Sequence, residues 1–152
     1  MGRIDQPPGK LMRLIFRAPI FLYRIGLGGL MGERLLLLTH TGRKSGLPRY
    51  AVLEVARHDA STGTFLVSAA YGRKADWYLN LQETPEVVVN HRGKRQDVVA
   101  ETLPVDAAAA EFAVYAAAHP TAAKSLGKLM GVRFDDLEAL AKKVPLVALR
   151  PR

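Results

Sequence analysis

The runs RLLLLTH (Arg34 to His40), RYAVLEVAR (Arg49 to Arg57) and TFLVSAAY (Thr64 to Tyr71) are separated only by the turn TGRKSG (Thr41 to Gly46) and the loop DASTG (Asp59 to Gly63). Short apolar and β-branched runs bounded by glycine-rich turns read as strands. Connections this short join antiparallel neighbours, because a parallel crossover needs a dozen or more residues. Working outward, EVVVNH (Glu86 to His91) and RQDVVAETL (Arg95 to Leu103) flank the tight turn Arg92-Gly93-Lys94, and VPLVAL (Val144 to Leu149) reads as a final strand. A helix over Lys74 to Glu83 stops before Pro85, and an alanine-rich helix capped by Asp106 ends before Pro120. A second short helix runs near Ala122 to Met130, and Phe134, Leu137, Leu140 and Ala141 mark one further apolar helix face. No long β-α-β alternation is present, so the fold class is α+β: an antiparallel sheet or barrel with added helices.

The chain has 152 residues, enough for one domain with a sizeable core. At 49% hydrophobic and 24% charged it is ordinary for a globular protein, which excludes a disordered or collagen-like chain. It has no cysteine, so disulfides, thiolate metal sites, iron–sulfur clusters and cysteine nucleophiles are excluded together. The lack of cysteine fits a reducing compartment, and the expected location is the cytoplasm.

The net charge of +8 is unevenly spread: residues 1–50 hold nine basic and two acidic residues. That third of the chain should face something anionic. Within it, Leu11 to Met31 interleaves Arg13, Arg17 and Arg24 with Leu14, Ile15, Phe16, Ile20, Phe21, Leu22 and Ile25. The charges exclude a spanning helix and a signal peptide. Two readings stay open: an amphipathic helix packed on the domain, or one lying on the anionic inner face of a membrane. We therefore divide the chain into a basic helical segment, 1–33, and a barrel domain, 34–152.

Familiar sites fail on spacing. Gly42-Arg43-Lys44-Ser45-Gly46 lacks the glycine spacing of a phosphate-binding P-loop, and Gly26-x-Gly28 precedes the first strand instead of following one. No GxSxG elbow is present, and His40, His58, His91 and His119 are scattered without metal-ligand spacing, so each reads as structural or superficial. What remains is a basic turn. Arg43 and Lys44 sit between glycines, and Arg49 follows Pro48. Such a turn exposes backbone N–H groups, while arginines grip phosphate or carboxylate in a bidentate way. A solvated hairpin turn is the competing reading. A second cluster, Ser68-Ala69-Ala70-Tyr71-Gly72, combines small strand-end residues with a loop, and the chain's lone tryptophan, Trp77, follows beside Tyr78 and ahead of Asn80. Small residues there leave room for a flat ring, although a Trp–Tyr pair equally serves a core.

These two motifs in this order, Thr41-Gly42-Arg43-Lys44-Ser45-Gly46-x-Pro48-Arg49 and Ser68 to Gly72, followed by Asp76-Trp77-Tyr78-Leu79-Asn80-Leu81 and Pro85, resemble the deazaflavin-dependent nitroreductase family. The likeness spans Leu35 to Leu149. It implies an antiparallel split β-barrel of the FMN-binding type with flanking helices, and coenzyme F420 (8-hydroxy-5-deazaflavin) as cofactor. By that resemblance, Arg43, Lys44, Ser45, Gly46 and Arg49 hold the cofactor's phosphate and oligoglutamate tail. Ala69, Ala70, Tyr71 and Gly72 lie along the ring, Trp77 and Asn80 shape the pocket behind it, and Val52 joins the cofactor site. The cofactor itself carries out hydride transfer, so no protein acid, base or metal is required. The late helical region reads Thr121-Ala122-Ala123-Lys124-Ser125-Leu126, without the tyrosines that nitro-reducing relatives turn to substrate. The resulting expectation is an F420-dependent oxidoreductase passing a hydride to a small apolar acceptor such as a quinone or nitro compound. The alternative is a non-catalytic fatty-acid- or lipid-binding barrel. A nucleic-acid-binding barrel is disfavoured, since aromatics make up only 7% of the chain and are not interleaved with the basic residues.

Overall fold

The computed structural model describes residues 34–69, 72–130 and 135–152. The segment 1–33, with its proposed amphipathic helix, and Ala70, Tyr71 and Phe134 lie outside the described residues. Six strands, β1 (Leu35–Thr41), β2 (Pro48–Asp59), β3 (Thr64–Ser68), β4 (Glu86–His91), β5 (Lys94–Thr102) and β6 (Leu146–Pro151), close into a barrel in the order β1-β2-β3-β6-β5-β4. Every neighbouring pair is antiparallel. Four helices accompany them among the described residues: α1 (Asp76–Glu83), α2 (Val105–Ala118), α3 (Pro120–Met130) and α4 (Leu137–Lys143).

Alternation along the strands sets the core. Leu36 and Leu38 of β1 face inward with Leu53 of β2, Val87 and Val89 of β4, Phe65 and Val67 of β3 and Val147 and Leu149 of β6. The register Leu36↔Leu53 and Leu38↔Val89 places them in layers. β3 and β6 are apolar on both faces because α2 and α4 cover the outside: Leu66, Leu146 and Ala148 pack there against Ala108, Phe112, Leu140 and Ala141. A bulge between Val55 and Arg57 turns His58 onto Phe65, its ring stacked at 4.1 Å, and His91 meets Phe65 at 4.8 Å. These rings plug the end where the Asp59–Gly63 loop and the Arg92–Gly93 turn lie. The other end is closed by α1, whose Tyr78 and Leu81 enter the barrel core with Trp77 packed at its edge.

Several boundaries differ from the sequence reading, each for a local reason. Asp106 is not the cap of α2; Pro104 holds that position in an extended conformation, and Asp106 sits in the first turn, where its charge still favours the helix N-terminus. α3 begins at Pro120, since proline suits a first helical turn. Val144 is the C-cap of α4, so β6 starts two residues later than expected. The carbonyl of Pro145 accepts the Ala69 N–H at 3.0 Å, just past the end of β3 at Ser68. Gly72 then adopts φ 79° and opens a 3-10 turn, Gly72–Lys74, so α1 begins at Asp76 and not at Lys74. No helix among the described residues is long and apolar enough to cross a membrane.

Candidate functional site

The basic turn leaves the barrel where β1 ends, beneath α1. Its frame is local. Gly42 N–H donates to the Leu47 carbonyl at 2.9 Å, and Gly46 N–H donates to the Gly42 carbonyl at 2.8 Å. Gly46 takes φ 71°, a left-handed conformation that favours glycine. A Cβ on Gly42 would stand 2.6 Å from the Ser45 hydroxyl, so this position admits a side chain only by pushing Ser45 aside. Ser45 Oγ in turn accepts the Leu47 N–H at 3.2 Å and a guanidinium N–H of Arg49 at 3.4 Å.

The two arginines play different parts. Arg43 turns inward: its backbone N–H and guanidinium donate to Asn80 Oδ1 at 3.1 and 2.9 Å, and the guanidinium also meets Asp76 at 3.3 Å. Lys44 and Arg49 stay exposed and have no carboxylate partner among the described residues. The structure thus joins the turn to α1 directly, through Arg43, Asp76 and Asn80.

Asn80 is 4% exposed and bonded at both ends of its amide, so it fixes the turn and does not face an open slot. Its Nδ2 lies 2.9 Å from His40 Nδ1. Because Oδ1 already accepts from Arg43, Nδ2 must donate, which makes His40 Nδ1 the acceptor and leaves the ring proton on Nε2. The sequence reads His40 as structural or superficial, and the structure makes it structural, buried and bonded to Asn80, a link that no spacing signalled. Spacing rules look for metal ligands, whereas the usable signal was parity: 36, 38 and 40 share the inward face of β1. Ala69 is fully buried in the core and Gly72 is buried, while Trp77 is half-buried at the rim. Val52 pairs with Leu37 on the outward face of the β1–β2 ribbon, apart from the His40–Asn80 end. A shallow depression of about 170 Å³ lies beside the turn, lined by Thr39, Thr41, Gly46, Pro48 and Val88 among others.

Burial pushes the His40 pKa down from 6.5 to about 4; Asp76 opposes this and Arg49 reinforces it. Neutral His40 therefore contributes stability that is complete above the unfolded value and is lost as pH falls toward 4, because the unfolded chain then takes up a proton that the fold resists. The expected loss attributable to this residue is roughly 2–3 kcal/mol by about pH 4.5. Urea midpoints at pH 7 and about pH 4.5 should therefore fall further for the wild type than for His40→Asn; parallel falls would refute the assignment.

Residues 24–126 match the family described as F420H(2)-dependent quinone reductase. The chain belongs to this family. Membership makes the protein an oxidoreductase and identifies coenzyme F420 as its cofactor. No curated protein matches the sequence. Solved structures do. One is an F420-H2-dependent reductase, 22% identical, with 77% of this chain and 94% of that chain covered and a TM-score of 0.54. Another is a pyridoxamine 5′-phosphate oxidase-related, FMN-binding protein from Nostoc punctiforme, 11% identical over 97% and 82% of the two chains, with a TM-score of 0.55. A third is General Stress Protein 26 from Bacillus anthracis, 14% identical over 89% of each chain, TM-score 0.54. At these identities the likeness is one of fold, and it agrees with the barrel expected from the motifs. The turn of this quinone reductase family member suits a polyanionic tail through its two outward cations, Lys44 and Arg49, which have no carboxylate partner among the described residues. The exposed N–H groups expected of it are not all available, because those of Gly42, Arg43, Gly46 and Leu47 are bonded within the protein.

Proposed function

We propose that the protein reduces an apolar, quinone-type acceptor at the expense of reduced F420. The observation that carries the reading is the exposed pair Lys44 and Arg49 on a glycine-framed turn, in a chain of the quinone reductase family. Lys44, Ser45, Gly46 and Arg49 hold the phosphate and glutamate tail, and Arg43 anchors the turn from behind. Trp77, half-buried at the rim, and the strand-end loop that closes at Gly72 border the ring; Val52, on the outward face of the β1–β2 ribbon, and Ala69, buried in the core, do not line it. When bound, the reduced deazaflavin supplies two electrons and a proton as hydride, and a second proton from water completes the hydroquinone. The protein's own work is binding, orientation and exclusion of water.

Helix α3 and its flank supply an apolar set, Ala122, Ala123, Leu126, Leu129 and Met130, in place of the tyrosines of nitro-reducing relatives. Ala123 is buried; the other four side chains lie outside the described ones. An apolar wall orients a substrate by shape and burial and discriminates weakly, at ~1–3 kcal/mol per methylene. Oxidation of reduced F420 should thus be faster with menadione-like quinones than with bulky polar nitroimidazoles at matched concentration. Steady-state absorbance measures it. A clear preference for the nitro compound refutes the apolar acceptor, and absence of F420 binding returns the case to a lipid-binding barrel.

A further inference from the structure

His40 ends the inward row of β1, 5% exposed, immediately before the basic turn. Its ring makes no hydrogen bond to the turn, although Arg49 lies opposite it in the β1–β2 register. The ring's hydrogen-bond partner is Asn80 on α1, and Asn80 in turn holds both the backbone N–H and the guanidinium of Arg43. The three residues form one line of hydrogen bonds in which every donor and acceptor role is fixed: Arg43 donates, the Asn80 amide accepts at Oδ1 and donates at Nδ2, and His40 Nδ1 accepts. An amide locked at one end only can shift or rotate; locked at both, it has one position.

We infer that His40 is a positioning residue for the F420 tail, acting through Asn80 to hold Arg43 and the head of the basic turn in their binding geometry. The inference rests on the reading that this turn holds the tail. Removing the acceptor at position 40 leaves the Asn80 Nδ2 buried without a partner. That favours displacement of the amide, and Arg43 then loses two of its anchors. Lys44 and Ser45 follow Arg43 directly, so their approach to an anion loosens with it. The ring end of the cofactor has no part in this chain of bonds.

The test compares two ligands, F420 and the ring-only deazaflavin that lacks phosphate and glutamates, on purified full-length protein. His40→Phe keeps a ring of similar volume but offers no acceptor, whereas His40→Asn places its Oδ1 near the Nδ1 position. His40→Phe is expected to lower the preference for F420 over the ring-only ligand roughly 10-fold, with ring-only affinity unchanged, and His40→Asn to keep that preference within about 3-fold. Equal losses for both ligands in His40→Phe, or an unchanged preference, overturn the positioning role. His40→Leu is the second apolar variant; if it and His40→Phe both fail to fold while His40→Asn folds, the acceptor serves folding alone and the inference is overturned. Arg49→Ala separates the two levels. If it leaves F420 affinity unchanged, the tail-binding reading itself fails; if it weakens F420 binding while His40→Phe does not, only the role of His40 fails.

Discussion

A Lys44→Ala/Arg49→Ala double variant is expected to bind F420 roughly 10²- to 10³-fold more weakly than the wild type, with its thermal stability nearly unchanged. Both side chains are exposed and neither has a carboxylate partner among the described residues, so their removal leaves no buried charge behind. Among the described residues, the Arg49 side chain makes a single hydrogen bond, 3.4 Å long, to Ser45 Oγ. Each charge-assisted bond to an anion contributes about 1.5–3 kcal/mol, and two of them set the expected range once non-additivity is allowed for. The wild-type affinity should also fall with salt, and that dependence should flatten in the variant. Fluorescence titration at low and high salt measures both. An affinity within about 3-fold of wild type would remove the basic turn from the cofactor site.

Asn80→Leu is expected to destabilise the fold by roughly 2–4 kcal/mol, which for a chain of this size lowers Tm by on the order of 5–15 °C. The amide has three partners: Arg43 N–H, the Arg43 guanidinium and His40 Nδ1. Leucine fills the space and satisfies none. The loss is limited because Arg43 is part-exposed and retains Asp76 at 3.3 Å, whereas His40 is buried and cannot turn to water. Calorimetry or urea unfolding decides the point, and a midpoint equal to wild type would show that this network does not hold the end of the barrel.

The contrast between Arg43 and Arg49 shows what the sequence could and could not say. Both lie in one nine-residue motif and both read as anion ligands, yet one is an anchor and the other an exposed cation without a carboxylate partner among the described residues. The difference depends on α1 crossing the barrel mouth, which brings Asp76 and Asn80 to Arg43 over sequence separations of 33 and 37 residues. No local pattern encodes such a crossing. The strands, by contrast, were legible because each carries its own evidence: apolar alternation, glycine turns too short for a crossover, and continuous apolar runs in β3 and β6 where helices cover the outer face. Helix starts were less so. Asp106 carries the chemistry of a cap, but Pro104 reaches the position first because Leu103 is still paired with Leu146 as the chain leaves β5. The link from His40 to Asn80 was not legible because the role of His40 is to be neutral and buried, a property of its surroundings more than of its neighbours in sequence.

The division of labour between tail and ring is the centre of this account. It is tested most directly by titrating the wild-type protein with F420 and with the ring-only deazaflavin under identical low-salt conditions. We expect F420 to bind at least about 100-fold more tightly, since under the proposed assignment only its tail would engage Lys44, Ser45, Gly46 and Arg49. Equal affinities for the two ligands would contradict it.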